Sequence, residues 1–277
     1  AWAAGQAATG SGSIVSGDGH LQLSIPSIMY QVGLNTKTLG GGEIHQKGLL
    51  IASIPVMAVG TNGKVAWSQV NPVVDITDWY VEQLQLDESG APQASYFRDE
   101  WRPLTTREES VPVAGRVLLG SEERVVTWLN YLTFDGRWIV EMEGRELGED
   151  ELPNDGETVV NLLGTRIVPT DLDEDGLITA ISFDYTAFDA TGFIDALFNL
   201  GLAQDMADFE RETKRLIGGG LFSAAGDHEG SILYTSYQAI PCRSYLERDE
   251  DGFFLPGQSP MALLDGTQIG GFTILSD

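Results

Sequence analysis

The feature that most limits what this chain can fold into is its punctuation. Gly, Pro, Asn and Asp recur from end to end, with 33 glycines in 277 residues, and most intervals between them are only strand-long. Runs rich in β-branched and aromatic residues fill those intervals at 13–16, 28–34, 49–59, 64–69 and 79–86. Asn62-Gly63, set between two apolar runs, is a strong hairpin signal. Three further strand-like runs fall between 98 and 145, and others at 158–168, 177–183, 221–225 and 231–237. One stretch, near 187–216, suits helices: Phe193, Leu197 and Leu200, then Phe209 and Leu216, recur at roughly helical spacing. Gly218-Gly219-Gly220 ends it. Many strands and a single helical block predict an α+β fold with packed sheets.

Charge and residue usage narrow the function. The formal net charge of -25 repels phosphate backbones and anionic lipid, so neither nucleic acid nor a membrane surface is an expected partner. A lone cysteine, Cys242, leaves no intrachain disulfide and no Cys-based zinc site. The longest apolar stretch, 48–60, is too short to span a bilayer and is interrupted by Pro55. The first residues lack a charged n-region, so export would rely on a signal encoded further upstream. Segment 144–157 is acidic and poor in apolar residues, which predicts a surface loop.

Several common site signatures can be dismissed. Asp171 to Gly176 reads DLDEDG, like the start of a calcium loop, but loop position twelve is Ser182 and strands flank it. An acidic turn is the better reading. There is no G-x-S-x-G sequence, and His20, His45 and His228 are too scattered for a zinc site. His45 and His228 are expected at the surface.

The most informative signal is an ordered set of short patterns. Ala1-Trp2-Ala3-Ala4-Gly5 opens the chain. Gly17-Asp18-Gly19-His20-Leu21 and Tyr30-Gln31-Val32-Gly33-Leu34 follow. Then come Gly60-Thr61-Asn62-Gly63-Lys64-Val65-Ala66-Trp67, Asn71, and Asp75-Ile76-Thr77-Asp78-Trp79-Tyr80. Glu100-Trp101-Arg102-Pro103, Asp227-His228-Glu229-Gly230-Ser231 and Ile240-Pro241-Cys242-Arg243 complete the set. In order and spacing it resembles the β subunit of the penicillin acylase family, N-terminal-nucleophile hydrolases that include N-acyl homoserine lactone acylases. The resemblance covers nearly the whole chain and is weakest at 120–157, where this chain carries an acidic insertion. It implies that 1–277 is a single β-subunit fragment of a four-layer αββα sandwich.

The same resemblance implies a chemistry. The precursor cuts itself to expose an N-terminal serine, which here would lie two residues before Ala1. The serine's own α-amine, with a pKa near roughly 8, takes the hydroxyl proton. His20 would orient that amine, although Gly17 and Gly19 replace the family's Asn and Pro around it. The backbone N–H of Asn71 would be one oxyanion donor, and the second would come from beyond Asp277. Asp75, Asp78 and the carbonyls of Thr77 and Pro241 would hold a structural Ca²⁺. No organic cofactor is implied. The partners would be an α subunit from the same precursor and a small acylated amine, and the location the periplasm or outside the cell. The alternative is a non-catalytic, secreted, calcium-stabilised β-rich binding module.

Overall fold

A computed structural model describes the chain apart from residues 18–20, 23, 39, 53, 55, 71–73, 116–121, 149, 190–191, 219–220 and 275–277. In chain order the first elements are β1 (Trp2–Ala4), α1 (Gln6–Thr9), β2 (Ile14–Ser16), β3 (Met29–Asn35), β4 (His45–Ile51), β5 (Met57–Thr61) and β6 (Val65–Val70). Then come β7 (Thr77–Leu86), β8 (Pro92–Phe97), β9 (Glu100–Pro103), β10 (Thr105–Val113), β11 (Arg124–Leu132) and β12 (Trp138–Met142). β13 (Gly144–Leu147), β14 (Val160–Leu162), β15 (Thr165–Pro169) and β16 (Ile178–Tyr185) precede the helices α2 (Phe193–Leu200) and α3 (Met206–Thr213). The last are β17 (Phe222–Asp227), β18 (Ile232–Thr235), β19 (Pro241–Cys242), β20 (Leu263–Asp265) and β21 (Thr273–Ile274). The class is α+β and strand-rich, with both long helices inside the expected block. No helix among the described residues is long and apolar enough to cross a membrane.

The chain divides into two compact units. The first comprises Ala1–Ile76 and Thr186–Ile240. Its sheet runs β18-β17-β6-β5-β4-β3, with every neighbouring pair antiparallel. Leu50, Met57, Val65, Trp67 and Ala225 of the sheet pack against Ala196, Leu200, Phe209 and Leu216 of the helical block. Trp67 lies 6.1 Å from the Phe209 ring, and its indole N–H donates to the Met57 carbonyl at 3.0 Å. That bond satisfies the one polar atom of a large buried ring. Helix α3 begins where Asp205 accepts from the Asp208 N–H at 2.9 Å, an N-cap that fixes the entry of the chain.

Asn62-Gly63 makes the predicted turn, with Gly63 at φ +84° where a Cβ would be strained. Asn62 Oδ1 accepts from the Lys64 and Val65 amides, while Nδ2 donates to the carbonyls of Gly201 at 3.1 Å and Ala203 at 2.7 Å. One side chain therefore shapes the hairpin and ties it to the end of α2. The run 49–59 is not continuous: the chain leaves the sheet after Ile51 and re-enters at Met57.

The second unit comprises Thr77–Tyr185 and Pro241–Asp277. Its main sheet runs β10-β11-β12-β16-β7-β8-β9, and β20 adds to β7 in parallel. A three-stranded sheet, β13-β15-β14, contributes Leu147, Val160, Leu162 and Ile167 to the buried apolar set. Segment 144–157 departs from a plain surface loop. Its first four residues form β13, and Arg145 pairs with Glu151 at 2.9 Å and Glu157 at 2.5 Å. Two of its acids are thus held by an arginine, while Glu146, Asp150 and Asp155 remain exposed.

Candidate functional site

The first residues are fastened to the first unit's sheet. Trp2 to Ala4 pair with Ser16 to Ile14, and the resulting hairpin packs on β17 and β6. The Gln6 amide donates to the Gly230 carbonyl at 3.0 Å, and Ser13 Oγ donates to the Asp227 carbonyl at 2.8 Å. Asp227 shapes the receiving turn by accepting from the Glu229 and Ser231 amides. Glycines permit this closeness: a Cβ on Gly5 would lie 2.8 Å from the Gly230 carbonyl, and one on Gly17 would collide with Ser68 Oγ. At Gly17, β6 leaves no room for a side chain.

His20 and Asn71 lie outside the described residues, but Leu21 and Val70, which adjoin them, do not. Leu21 and Val70 both line a cavity of about 280 Å³ in the first unit. Its other walls are mainly apolar, with Met29, Ile51, Ile54 and Val56 from the sheet region and Phe193 and Leu197 from α2. Gln69, which lines it, has a buried Nε2 with no hydrogen-bond partner among the described residues, as does Ser223 Oγ on the neighbouring strand, while the unpartnered Ser68 Oγ lies on the other face of β6, toward Gly17. Ser223 is in register with Gln69. Each such orphan costs on the order of 1–3 kcal/mol.

Asp75 is exposed, at the end of the first unit's first segment. Thr77 opens β7 in register with Tyr185, and Pro241 is buried in β19 opposite Ile274. Asp78 is wholly buried. Its carboxylate accepts from Arg243 Nε at 3.0 and 2.9 Å and from Arg243 Nη2 at 2.7 Å. Both oxygens are thus engaged by a cation. A Ca²⁺ ion wants six to eight oxygens at about 2.3–2.6 Å, and beside the guanidinium it would meet repulsion of about 4 kcal/mol for each unit of its charge at 4 Å. As arranged, Asp78 does not fit the ion.

Sequence reasoning missed the second unit's buried charge network. Glu82 and Arg137, both fully buried, meet at 2.6 Å. Ser182 Oγ donates to the same Glu82 oxygen at 2.5 Å. Burial pushes the Glu82 pKa up, against the pull of Arg137 and Ser182. Arg137 also donates to Asp135 at 3.0 Å, and Asp135 accepts from the Gly271 amide at 2.8 Å. Burial would raise Asp135, but Arg137, Thr133 and that amide together hold it below the usual carboxylate range. The alternation of β7 carries the only signal, since Asp78, Tyr80, Glu82 and Leu84 share one face.

The DLDEDG run connects β15 and β16, and its Asp171 and Asp173 carboxylates come within 4.8 Å of Glu143, a group that could hold a metal ion. The Glu143 carboxylate accepts from the amides of Leu172, Asp173 and Thr179. His45 and His228 are exposed, as expected. Leu162-Leu163-Gly164-Thr165 forms a hairpin turn, with Leu163 at φ 49° and Gly164 at φ 91°.

An antiparallel sheet with a helical layer on one face, an N-terminal hairpin fastened to it and an apolar cavity in the same unit together define a strand-rich α+β protein. The chain belongs to the penicillin amidase family, whose model matches residues 1–269. It is 31% identical over 105 residues to the acyl-homoserine lactone acylase QuiP of Pseudomonas aeruginosa, a match covering 38% of this chain and 12% of that protein. It is 33% identical over 102 residues to QuiP of Pseudomonas putida, covering 36% and 11%. A penicillin G acylase structure from Alcaligenes faecalis superposes with a TM-score of 0.52 at 20% identity, over 90% of this chain and 34% of that one. The chain thus spans about a third of the solved acylase chain, and its sequence match to the curated relatives covers about a tenth of their length.

Proposed function

We propose that this chain forms the acyl-binding and catalytic surroundings of a secreted or periplasmic amide hydrolase, which removes an acyl group from an amine through a serine nucleophile and an acyl-enzyme. The observation that carries this reading is the apolar cavity, whose lining includes Leu21 and Val70. These residues adjoin His20 and Asn71 in the chain. An acyl chain buried in such a cavity gains roughly 0.8 kcal/mol per methylene. The scissile carbonyl would then lie toward the Asn71 backbone N–H, a donor worth about 3 kcal/mol to the tetrahedral intermediate. His20 would orient the attacking serine's α-amine. That serine lies outside this sequence, two residues ahead of Ala1, where self-cleavage of a precursor would expose it. An α subunit would complete the acyl pocket. The family membership and the names of the acylase relatives support the same reaction class.

The test uses the full-length precursor and a series of N-acyl amines of increasing chain length. Changing the upstream serine to alanine abolishes both self-cleavage and amide turnover. Ala58→Trp, which fills the cavity, lowers kcat/KM most for the longest acyl groups. Turnover retained without the serine would refute the mechanism, and an Ala58→Trp enzyme with an unchanged chain-length profile would refute the pocket.

A further inference from the structure

The amide chemistry leaves unused the pair formed by Asp78 and Arg243. Asp78 stands on β7 with its side chain at 0% exposure, and Arg243 follows β19 with its side chain at 12%. The residues are 165 positions apart in sequence. A carboxylate this deeply buried needs both a counter-charge and hydrogen bonds on its two oxygens. Arg243 supplies both: Nε bridges the two oxygens and Nη2 adds a third contact at 2.7 Å. A planar fork matches a carboxylate better than an ammonium does. The guanidinium also lies 5.9 Å from the Phe272 ring centroid, so the chain near the last strand holds it from another side. Asp184 is in register with Asp78 on the adjacent strand, so a second carboxylate stands in the same row.

We infer that the Arg243 guanidinium is the resident cation of Asp78, so that this protein fastens the segment beginning at Pro241 to β7 with its own side chain and needs no divalent metal ion there. The fork takes both carboxylate oxygens that an ion would use, and its charge excludes a second cation from the same place. Removing it leaves a buried carboxylate without a counter-charge, beside another acid. That arrangement would draw in a divalent ion.

Thermal melting and metal analysis of the full-length protein test this. The wild type is expected to hold no stoichiometric calcium after gel filtration, and its Tm is expected to be the same in EDTA and in millimolar CaCl₂. Arg243→Ser is expected to melt lower than wild type in EDTA and to recover part of the difference when CaCl₂ is added. Arg243→Lys, which keeps the charge but loses the fork, should fall between the two and respond less to calcium. A wild-type Tm that drops in EDTA, or tightly held calcium at one ion per chain, overturns the inference. So does an Arg243→Ser protein as stable as wild type in EDTA, or one indifferent to calcium. If Arg243→Ser does not fold, the wild-type measurements still decide.

Discussion

Both units have apolar cores, but only the second adds, among the described residues, a buried ionic row to its core. In the first, an antiparallel sheet is covered by helices, and its core is an apolar contact of Trp67, Leu50 and Met57 with Phe209, Leu200 and Leu216. In the second, one inward row of β7 and β16 carries Asp78, Glu82, Ser182 and Asp184, and the arginines lie with it. Gly266 and Gly271 come close to that row: a Cβ on Gly266 would lie 2.6 Å from Glu82, and one on Gly271 would lie 2.7 Å from Asp184. A helix face can bury apolar area without aligning any single atom. A segment with little apolar mass is fixed better by directed bonds, such as those from Arg137 to Asp135 and from the Gly271 amide to Asp135. An apolar core can also tolerate a cavity, because dispersion contacts are lost gradually. A half-satisfied ionic row cannot, because one missing partner leaves a charge buried.

The contrast breaks most visibly at Arg137. Arg137→Leu strands Glu82 in the core and should cost about 3–5 kcal/mol, read from chemical denaturation. Replacing Glu82 by Leu as well should recover most of that loss. If the single and double variants were equally unstable, packing rather than charge would be what Arg137 supplies.

In the first unit the sharpest polar tie is Asn62. Asn62→Ala removes two side-chain bonds to the end of α2 and two bonds that shape the hairpin, at a cost of about 1–2 kcal/mol. Unlike Arg137→Leu, this variant has no apolar partner change that should rescue it. A cost matching that of Arg137→Leu would erase the distinction between the units.

The smallest expected effect is pH-dependent. Burial pushes Asp184 up to about 6, with the Tyr185 amide and Arg137 pulling down and Asp135 and Asp78 pushing up. Because the folded value lies above the unfolded one, near roughly 3.9, the folded state binds the proton more tightly. Stability is therefore greatest below about pH 4, falls as pH rises toward 6, and is flat above that. Asp184→Asn should remove this slope and raise stability at pH 7 by about 1 kcal/mol after allowance for solvent screening. Melting curves from pH 4 to 8 measure it, and an unchanged slope would place the titration elsewhere.

Much of this was present in local sequence. The helical block, the Asn62-Gly63 turn and the surface histidines all follow from short-range rules: spacing, turn chemistry and charge. The ordered patterns pointed to the family before any contact was known. Strand 77–86 shows where such rules stop. Its even positions hold Asp78, Tyr80, Glu82, Leu84 and Leu86, and its odd positions Thr77, Trp79, Val81, Gln83 and Gln85. Hydropathy alone would not send the face with two acids inward. The structure does, because Arg137 and Arg243, 55 and 165 residues away from their partners, arrive to neutralise them. Sequence by itself determined the strand-rich class, the helical block and the Asn62-Gly63 turn, since those choices are made over a few residues, but not every strand boundary: 49–59 is broken and 144–147 pairs as β13. Which face of β7 is buried, where the cavity opens and which cation meets Asp78 were decided only in three dimensions, because each depends on groups far apart in the chain meeting at hydrogen-bond distance.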